Sequence, residues 1–418
     1  MSKIILTKGI APEVTDSNKG AIFFDVDNRV KQIDQNGVIS FLNVNGLRGY
    51  NILHNGGFRV LQRQVPASTS IPAVSTTTRA GQIADRWAIT TSVATNLNFQ
   101  QVDTAGTQDT GLTARYYGSS IASTAGKKIM LSQAVLSSDM SHLRGKKVRV
   151  SIKHNQKVGS GQTYYLGLLE LAQGGTVDVL PAFLTGAWST TTGVDPTFGA
   201  FLHIIPPDAL PTGENGTVGK NWLTVTSVAT TWTRSSAVFT VPFSAKNLVF
   251  VFFSDATGGS TDNISFSEAQ ITEGTEIVDY VELPFTYELT QCQRFFSKSF
   301  PYAILPAASV SVANGGYGSA GPMLIAGNAT ALGTQIPVMF PVRMWKAPAV
   351  TLYTPVGAGA VVYRHTGTTP AIQGTTAVVA SSTTDRGCLV SSTNEATANT
   401  AVGNWCSVHW KAEADFIL

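Results

Sequence analysis

Charge is what this chain has least of. Across 418 residues only 13% are Asp, Glu, Lys or Arg, with 29 Lys+Arg against 26 Asp+Glu and a formal net charge of +3. Nucleic-acid binding requires a concentrated basic face that displaces counterions from phosphates. The densest basic stretch, Arg144-Gly145-Lys146-Lys147-Val148-Arg149, reads as solvated charge at the start of a strand. No nucleic-acid partner is therefore expected. Long apolar runs are missing too. The densest covers residues 248–253, against the roughly 20 residues that a membrane-spanning helix needs. Near the start, three apolar residues between Lys3 and Lys8 are too few for a signal-peptide core. The expectation is a chain made in a cytoplasm, without membrane insertion.

Cysteine and histidine are equally sparse. Cys292, Cys388 and Cys406 form neither a metal-ligand spacing nor an even disulfide set, and pairing of Cys388 with Cys406 stays open. None of the six histidines stands in an H-E-x-x-H motif or a close pair. No metal and no cofactor are expected. Catalytic motifs fail one by one. Asp25 and Asp27 follow an apolar strand as in a phosphatase D-x-D, but a hairpin follows where that chemistry needs helices. Tyr317 replaces the first glycine that a nucleophile elbow requires before Ser319. Val362 occupies the third glycine position of a dinucleotide fingerprint begun by Gly357 and Gly359. A glycosidase needs two carboxylates roughly 5–9.5 Å apart. Asp178 with Asp195, or Asp208 with Glu214, are the pairs that sequence leaves open for it. The reading is a protein that is not an enzyme.

What the chain does have is Thr, Ser, Gly, Ala and Val, with β-branched bursts between turn residues, which favours strands joined by tight turns. Residues 143–152 alternate, with Val148, Val150 and Ile152 on one side. Residues 164–171, 231–242 and 264–271 also read as strands, and 248–253 as a fully buried one. One short helix is predicted over residues 289–298. The fold class is all-β, in three parts: residues 1–48 as a small N-terminal β anchor, 49–290 as a central jelly-roll β-sandwich, and 291–418 as a C-terminal β-sandwich domain. In the anchor, residues 21–24 and 38–42 read as strands with the turn pair Asn36-Gly37 between them. Residues 187–219, rich in Thr, Gly and Pro, read as a long excursion at one end of the sandwich.

Particular phrases carry a resemblance. Asn55-Gly56-Gly57-Phe58 with Gln62-Arg63, then Ala84-Asp85-Arg86-Trp87, resembles the opening of β-sandwich modules in bacteriophage tail-fibre and head-fibre proteins. Leu143-Arg144-Gly145-Lys146, Thr231-Trp232-Thr233-Arg234 and Gln270-Ile271-Thr272-Glu273-Gly274 follow in the order of a carbohydrate-binding-module jelly roll. Lys8-Gly9-Ile10-Ala11-Pro12 and the closing His409-Trp410-Lys411 are similar to the ends of such appendages. The resemblance implies a virion appendage, docked on capsid or tail proteins through residues 1–48 and forming a homo-oligomer, a trimer. Gly57 departs from it, standing where the modules often carry an Asp that helps bind Ca²⁺. Calcium needs six to eight oxygens, and Asp262 and Glu268 are the other acids considered for it.

A host surface glycan is the candidate ligand, because sugar faces stack on aromatic rings beside amides and hydroxyls. The candidate residues are Trp188 and Trp222, bordering the excursion, and Trp345, Tyr353, Tyr363 and His365 in the C-terminal domain. Trp87 and Trp232, inside strand phrases, are expected in the core. The functional expectation is a structural or adhesion protein of a phage particle. A capsid decoration (cement) protein at capsomer junctions is the alternative, and a polysaccharide depolymerase a more distant one.

Overall fold

A computed structural model describes strands 21–24, 30–33 and 39–41 and most of residues 50–414. Outside the description lie the rest of 1–49, then 64–68, 75–80, 93–94, 105–111, 123–127, 159–162, 173, 180–182, 185–194, 211–215, 227–230, 255–262, 277, 303, 307–334, 354–362, 367–368, 371–377, 393–404, 408 and 415–418. Two antiparallel sheets dominate. One has seven strands in the order Pro207–Ala209, Thr233–Thr240, Lys147–Val158, Asn263–Glu273, Tyr116–Ala122, Thr95–Asp103 and Thr69–Val74. The other runs Thr217–Val218, Leu223–Thr226, Thr163–Leu171, Asn247–Ser254, Ile129–Val135, Trp87–Thr91 and Gly81–Ala84, with Leu202–Ile205 also paired to Thr163–Leu171. The protein is all-β, and this pair of sheets is its jelly-roll sandwich.

Period-two alternation places the core between the sheets. Val148, Val150 and Ile152 stand beside Phe239, Phe266 and Ile271 on the inner face of the seven-stranded sheet and face Leu166, Leu168, Phe250 and Phe252 of the other. Trp87 sits among them, fully buried against Phe58 and Phe250, and its indole N–H donates to the Asn55 carbonyl at 2.8 Å. Asn247–Ser254 is buried on both faces along its whole length, as its unbroken apolar pattern predicts. Its second face meets the excursion. Phe183, Leu184, Leu202 and Trp222 lie on the outside of that sheet with Leu169, Val249, Val251 and Phe253. Within the excursion, Phe198 and Leu202 therefore lie on a sheet face rather than beyond one end of the sandwich.

The Asn55–Arg63 phrase is a structural knot. The Asn55 side chain accepts from Val60 N and donates to the Val60 and Asp85 carbonyls, while Asp85 accepts from Gln62 N. A Cβ on Gly57 would meet the Tyr280 hydroxyl at 2.8 Å, so an Asp at this position would force Tyr280 to shift.

The helix spans Phe285–Gln293, four residues earlier than the sequence suggests. Pro284 fixes its start, its carbonyl accepting from Tyr287 N and Glu288 N. It ends at Arg294, and Phe296–Lys298 is already a strand. That strand pairs with His409–Glu413, which pairs in turn with Ala349–Tyr353. Two further three-stranded sheets follow, one of Gln335–Met339, Gly387–Ser392 and Val378–Ser381, the other of Thr369–Pro370, Tyr363–Thr366 and Trp405–Ser407. At the N-terminus, Ile39–Phe41 pairs with Val30–Ile33, which pairs with Ala21–Phe24. Asn36 and Gly37, outside the described residues, thus fall between the second and third strands of a meander rather than between its first and last.

Candidate functional site

The two outer faces of the sandwich differ. The eight-stranded sheet's outer face is apolar and covered, as described. The seven-stranded sheet's outer face is polar. Because Val148, Val150 and Ile152 point inward, Ser151, Lys153 and Asn155 point outward. Ser265, Ser267, Gln270 and Thr272 do the same on the neighbouring strand. Glu268, at φ 52°, is the extra residue of a bulge that keeps this alternation in phase. On Thr233–Thr240 the same rule sends Phe239 and Ala237 inward and Arg234 and Ser236 outward.

These outward polar side chains are nonetheless buried: Ser151 is 4% exposed, Asn155 3%, and Ser265 and Ser267 0%. Two aromatic rings lie across part of this face. Tyr117 and Trp232 meet edge to face, with centroids 5.2 Å apart. Tyr117 is rooted on Tyr116–Ala122 and Trp232 at the start of Thr233–Thr240, three strand spacings apart in the sheet, on the order of 14 Å. The rings can touch only by reaching toward one another over the two strands between, where Asn155 pairs with Ser265. Under this roof Trp232 Nε1, Asn155 Oδ1 and Ser265 Oγ are buried and have no hydrogen-bond partner.

The charges on this face are matched. Lys153 Nζ lies 2.8 Å from Glu268 Oε2, and Glu268 Oε1 accepts from the Thr113 and Ala114 amides. With both oxygens engaged, Glu268 is no open metal ligand, and Asp262 lies outside the described residues. Arg234 faces Asp279 at 3.5 Å. Arg149 donates to Ser236 Oγ at 3.0 Å and to the Glu276 carbonyl. Among the described residues no group of three or more His, Cys, Asp or Glu side chains is placed to hold a metal.

The aromatics chosen from sequence fall elsewhere. Trp222 is only 4% exposed. Its ring packs edge-on against Phe253 at 5.0 Å and lies so close over Gly167 that a Cβ there would be 2.3 Å away. Its indole N–H donates to Asp195 Oδ2 at 3.0 Å. Neither face of Trp222 is left for a sugar. Trp345 is half-buried, donating from Nε1 to the Ala414 carbonyl, with Phe295 beside it and Lys346 Nζ 4.6 Å from its ring centre. It joins the apolar cluster on the sandwich to that of the C-terminal sheets. Tyr353, also half-buried, packs edge-on against Phe300 at 5.6 Å. Tyr363 and His365 belong to Tyr363–Thr366; their side chains lie outside the described residues, as does Trp188. Of the carboxylates left open by sequence, three serve separate partners. Asp178 accepts from Ser137 N and Asn247 Nδ2, Asp195 holds Trp222, Asp208 accepts from Thr240, and Glu214 lies outside the description. Cys388 is a free buried thiol pushed up to about 11 by burial.

Sequence reasoning missed Tyr117 and assigned Trp232 to the core. Trp232 shares its side of the strand with Arg234 and Ser236, and that parity was the available signal.

The fold and this face define an all-β protein whose jelly-roll sandwich presents a polar, aromatic-roofed sheet surface. No family model and no curated protein matches the chain. Among solved structures it is similar to the carbohydrate-binding module TmCBM61 in complex with β-1,4-galactotriose, at 10% identity and TM-score 0.28, over 54% of this chain and 99% of that one. It is similar also to the CBM22-1–GH10 modules of Clostridium thermocellum xylanase 10B complexed with xylohexaose, at 13% identity and TM-score 0.27, over 49% of this chain and 29% of that one. A third is the enzymatically active domain of bacteriophage CBA120 tailspike protein 4, at 11% identity and TM-score 0.27, over 49% and 22%.

Proposed function

We propose that this chain is a non-enzymatic structural and adhesion protein of a phage particle that binds host glycan through the outer face of its seven-stranded sheet. The observation that carries the binding half is the Tyr117–Trp232 pair roofing buried Ser and Asn side chains. Aromatic rings supply apolar area for a sugar face, and neutral hydroxyl and amide groups fix its orientation. The non-enzymatic half is supported by the separate structural duties of Asp178, Asp195 and Asp208. The virion half rests on the sequence resemblance of the Asn55–Arg63 and Ala84–Trp87 phrases. Residues 1–48 would dock on capsid or tail proteins, and a homotrimer is the assembly that the resemblance implies. Trp345, Tyr353, Tyr363 and His365 are a secondary glycan surface to test on the C-terminal sheets.

The deciding experiment is binding of the full chain to host-cell surface polysaccharide, with Trp232→Ala and Tyr117→Ala as variants and reducing-end release measured in parallel. Loss of binding in both variants without release of reducing ends is expected. Undiminished binding in both removes the face, and sustained release removes the non-enzymatic reading.

A further inference from the structure

We propose that the Tyr117–Trp232 pair is a closed lid over a subsite for one uncharged sugar residue, whose hydroxyls complete the hydrogen bonding of Asn155, Ser265 and the Trp232 indole. This deepens the reading of that face as a glycan surface and rests on it.

Three neutral polar atoms lack partners beneath the rings: a donor on Trp232 Nε1, an acceptor on Asn155 Oδ1, and a hydroxyl on Ser265 that can be either. Folded proteins pair nearly all such buried groups, so three together on neighbouring strands need a reason. A vicinal diol has the complementary set, one hydroxyl accepting from the indole while donating to the amide oxygen, the next meeting Ser265. The chemical class follows from what is already matched. Lys153 is held by Glu268, which is itself bonded to two backbone amides, and Arg234 faces Asp279. A uronate or sialate carboxylate reaching Lys153 would have to displace Glu268, whose side chain is 3% exposed, and leave its charge buried. A sugar bearing hydroxyls alone displaces nothing.

The lid rests on position: all three atoms are buried on the sheet face that the touching rings span, and in the proposed subsite a ligand reaches them when Tyr117 and Trp232 part. Association should therefore be slowed by opening, and a smaller side chain at position 117 should relieve that delay.

The test uses the full chain in calorimetry and stopped-flow fluorescence. Probes are β-1,4-galactotriose and xylohexaose as neutral oligosaccharides, with oligogalacturonate and oligosialate as acidic ones. Variants are Trp232→Phe, which keeps a ring and loses the N–H, Asn155→Ala, Ser265→Ala and Tyr117→Ala. At least one neutral probe should bind and no acidic probe. Trp232→Phe and Asn155→Ala should each weaken it about 5- to 20-fold, the loss of one buried hydrogen bond. Tyr117→Ala should raise the association rate several-fold while raising dissociation more. Acidic probes binding with the same dependence on Trp232 and Asn155 overturn the sugar class while leaving the face as the glycan surface. Neutral binding with an unchanged association rate in Tyr117→Ala overturns the lid. No binding of any neutral probe at millimolar concentration, or binding indifferent to all four variants, overturns the subsite. In that case the Trp232→Ala experiment on whole polysaccharide still decides the face independently.

Discussion

Replacing Glu288 by Gln should make this protein more stable at neutral pH, and only there. Glu288 lies on the buried side of Phe285–Gln293 at 3% exposure, and its Oε2 has no hydrogen-bond partner. Burial pushes its carboxyl from 4.5 up to about 7; Arg59 opposes this and Glu282 adds to it. The unfolded chain titrates this group near 4.5. Below that pH both states are protonated and the side chain costs nothing relative to the unfolded chain. As pH rises from 4.5 to about 7 the unfolded chain ionises this group freely while the folded state holds it protonated, so stability is lost across that window and stays lost above it. The full difference is about 3 kcal/mol at 1.36 kcal/mol per pH unit. Gln keeps the shape and removes the charge, so the gain of Glu288→Gln over wild type should be near zero at pH 4.5 and grow to about 2–3 kcal/mol by pH 7.5. Guanidinium denaturation of both proteins at several pH values measures it. The difference between the two is the proper quantity. Buried His54, His154 and His409 are held down to about 3, 4 and 4 by burial, and they work in the opposite direction across part of the same range. Parallel stability curves for the two proteins between pH 4.5 and 7.5 would refute the assignment.

Other perturbations follow from the same geometry. Lys298 Nζ donates to the Gln62, Tyr302 and Ile304 carbonyls at 2.7, 2.8 and 2.7 Å, so Lys298→Met should cost about 3–5 kcal/mol by leaving those acceptors unpaired; a melting temperature within a degree of wild type contradicts this. Asn55→Ala removes three side-chain hydrogen bonds from the knot around Val60 and Asp85 and should cost about 2–4 kcal/mol in chemical denaturation. Gly57→Asp should destabilise by about 1–3 kcal/mol through its clash with Tyr280, and calcium should not restore the loss in a thermal melt. Cys292, fully buried, should resist alkylation until the protein unfolds, as mass spectrometry after iodoacetamide treatment will register.

The sandwich was largely legible because its strands obey a simple period. The alternation of Val148, Val150 and Ile152 and the unbroken apolar run after Asn247 announced a half-buried and a fully buried strand, and both are found. The proposed binding face was not legible, for two physical reasons. Tyr117 and Trp232 are 115 residues apart, and only the sheet order brings their rings together; no local pattern encodes that order. Trp222 misled because its neighbours are loop residues, whereas its burial is decided by Gly167 on another strand, which leaves room for an indole. An aromatic beside a loop is exposed only if nothing across the sheet has made space for it. The helix was misplaced for a more local reason, since Pro284 sets its start and the apolar pattern does not.

The pairing of Phe296–Lys298 with His409–Glu413 has a consequence for how this chain tolerates change. The first and last strands of the C-terminal region are fastened to each other, and Arg63 grips Glu413 from the sandwich at 3.0 Å. The hundred or so residues in between are thus a bight held by a clasp at its neck. Insertions, deletions or exchange within that bight, outside the Ala349–Tyr353 strand that pairs with His409–Glu413, leave the clasp's own hydrogen bonds in place. The segment between the clasped strands is therefore the part that can be rewritten while its attachment stays the same.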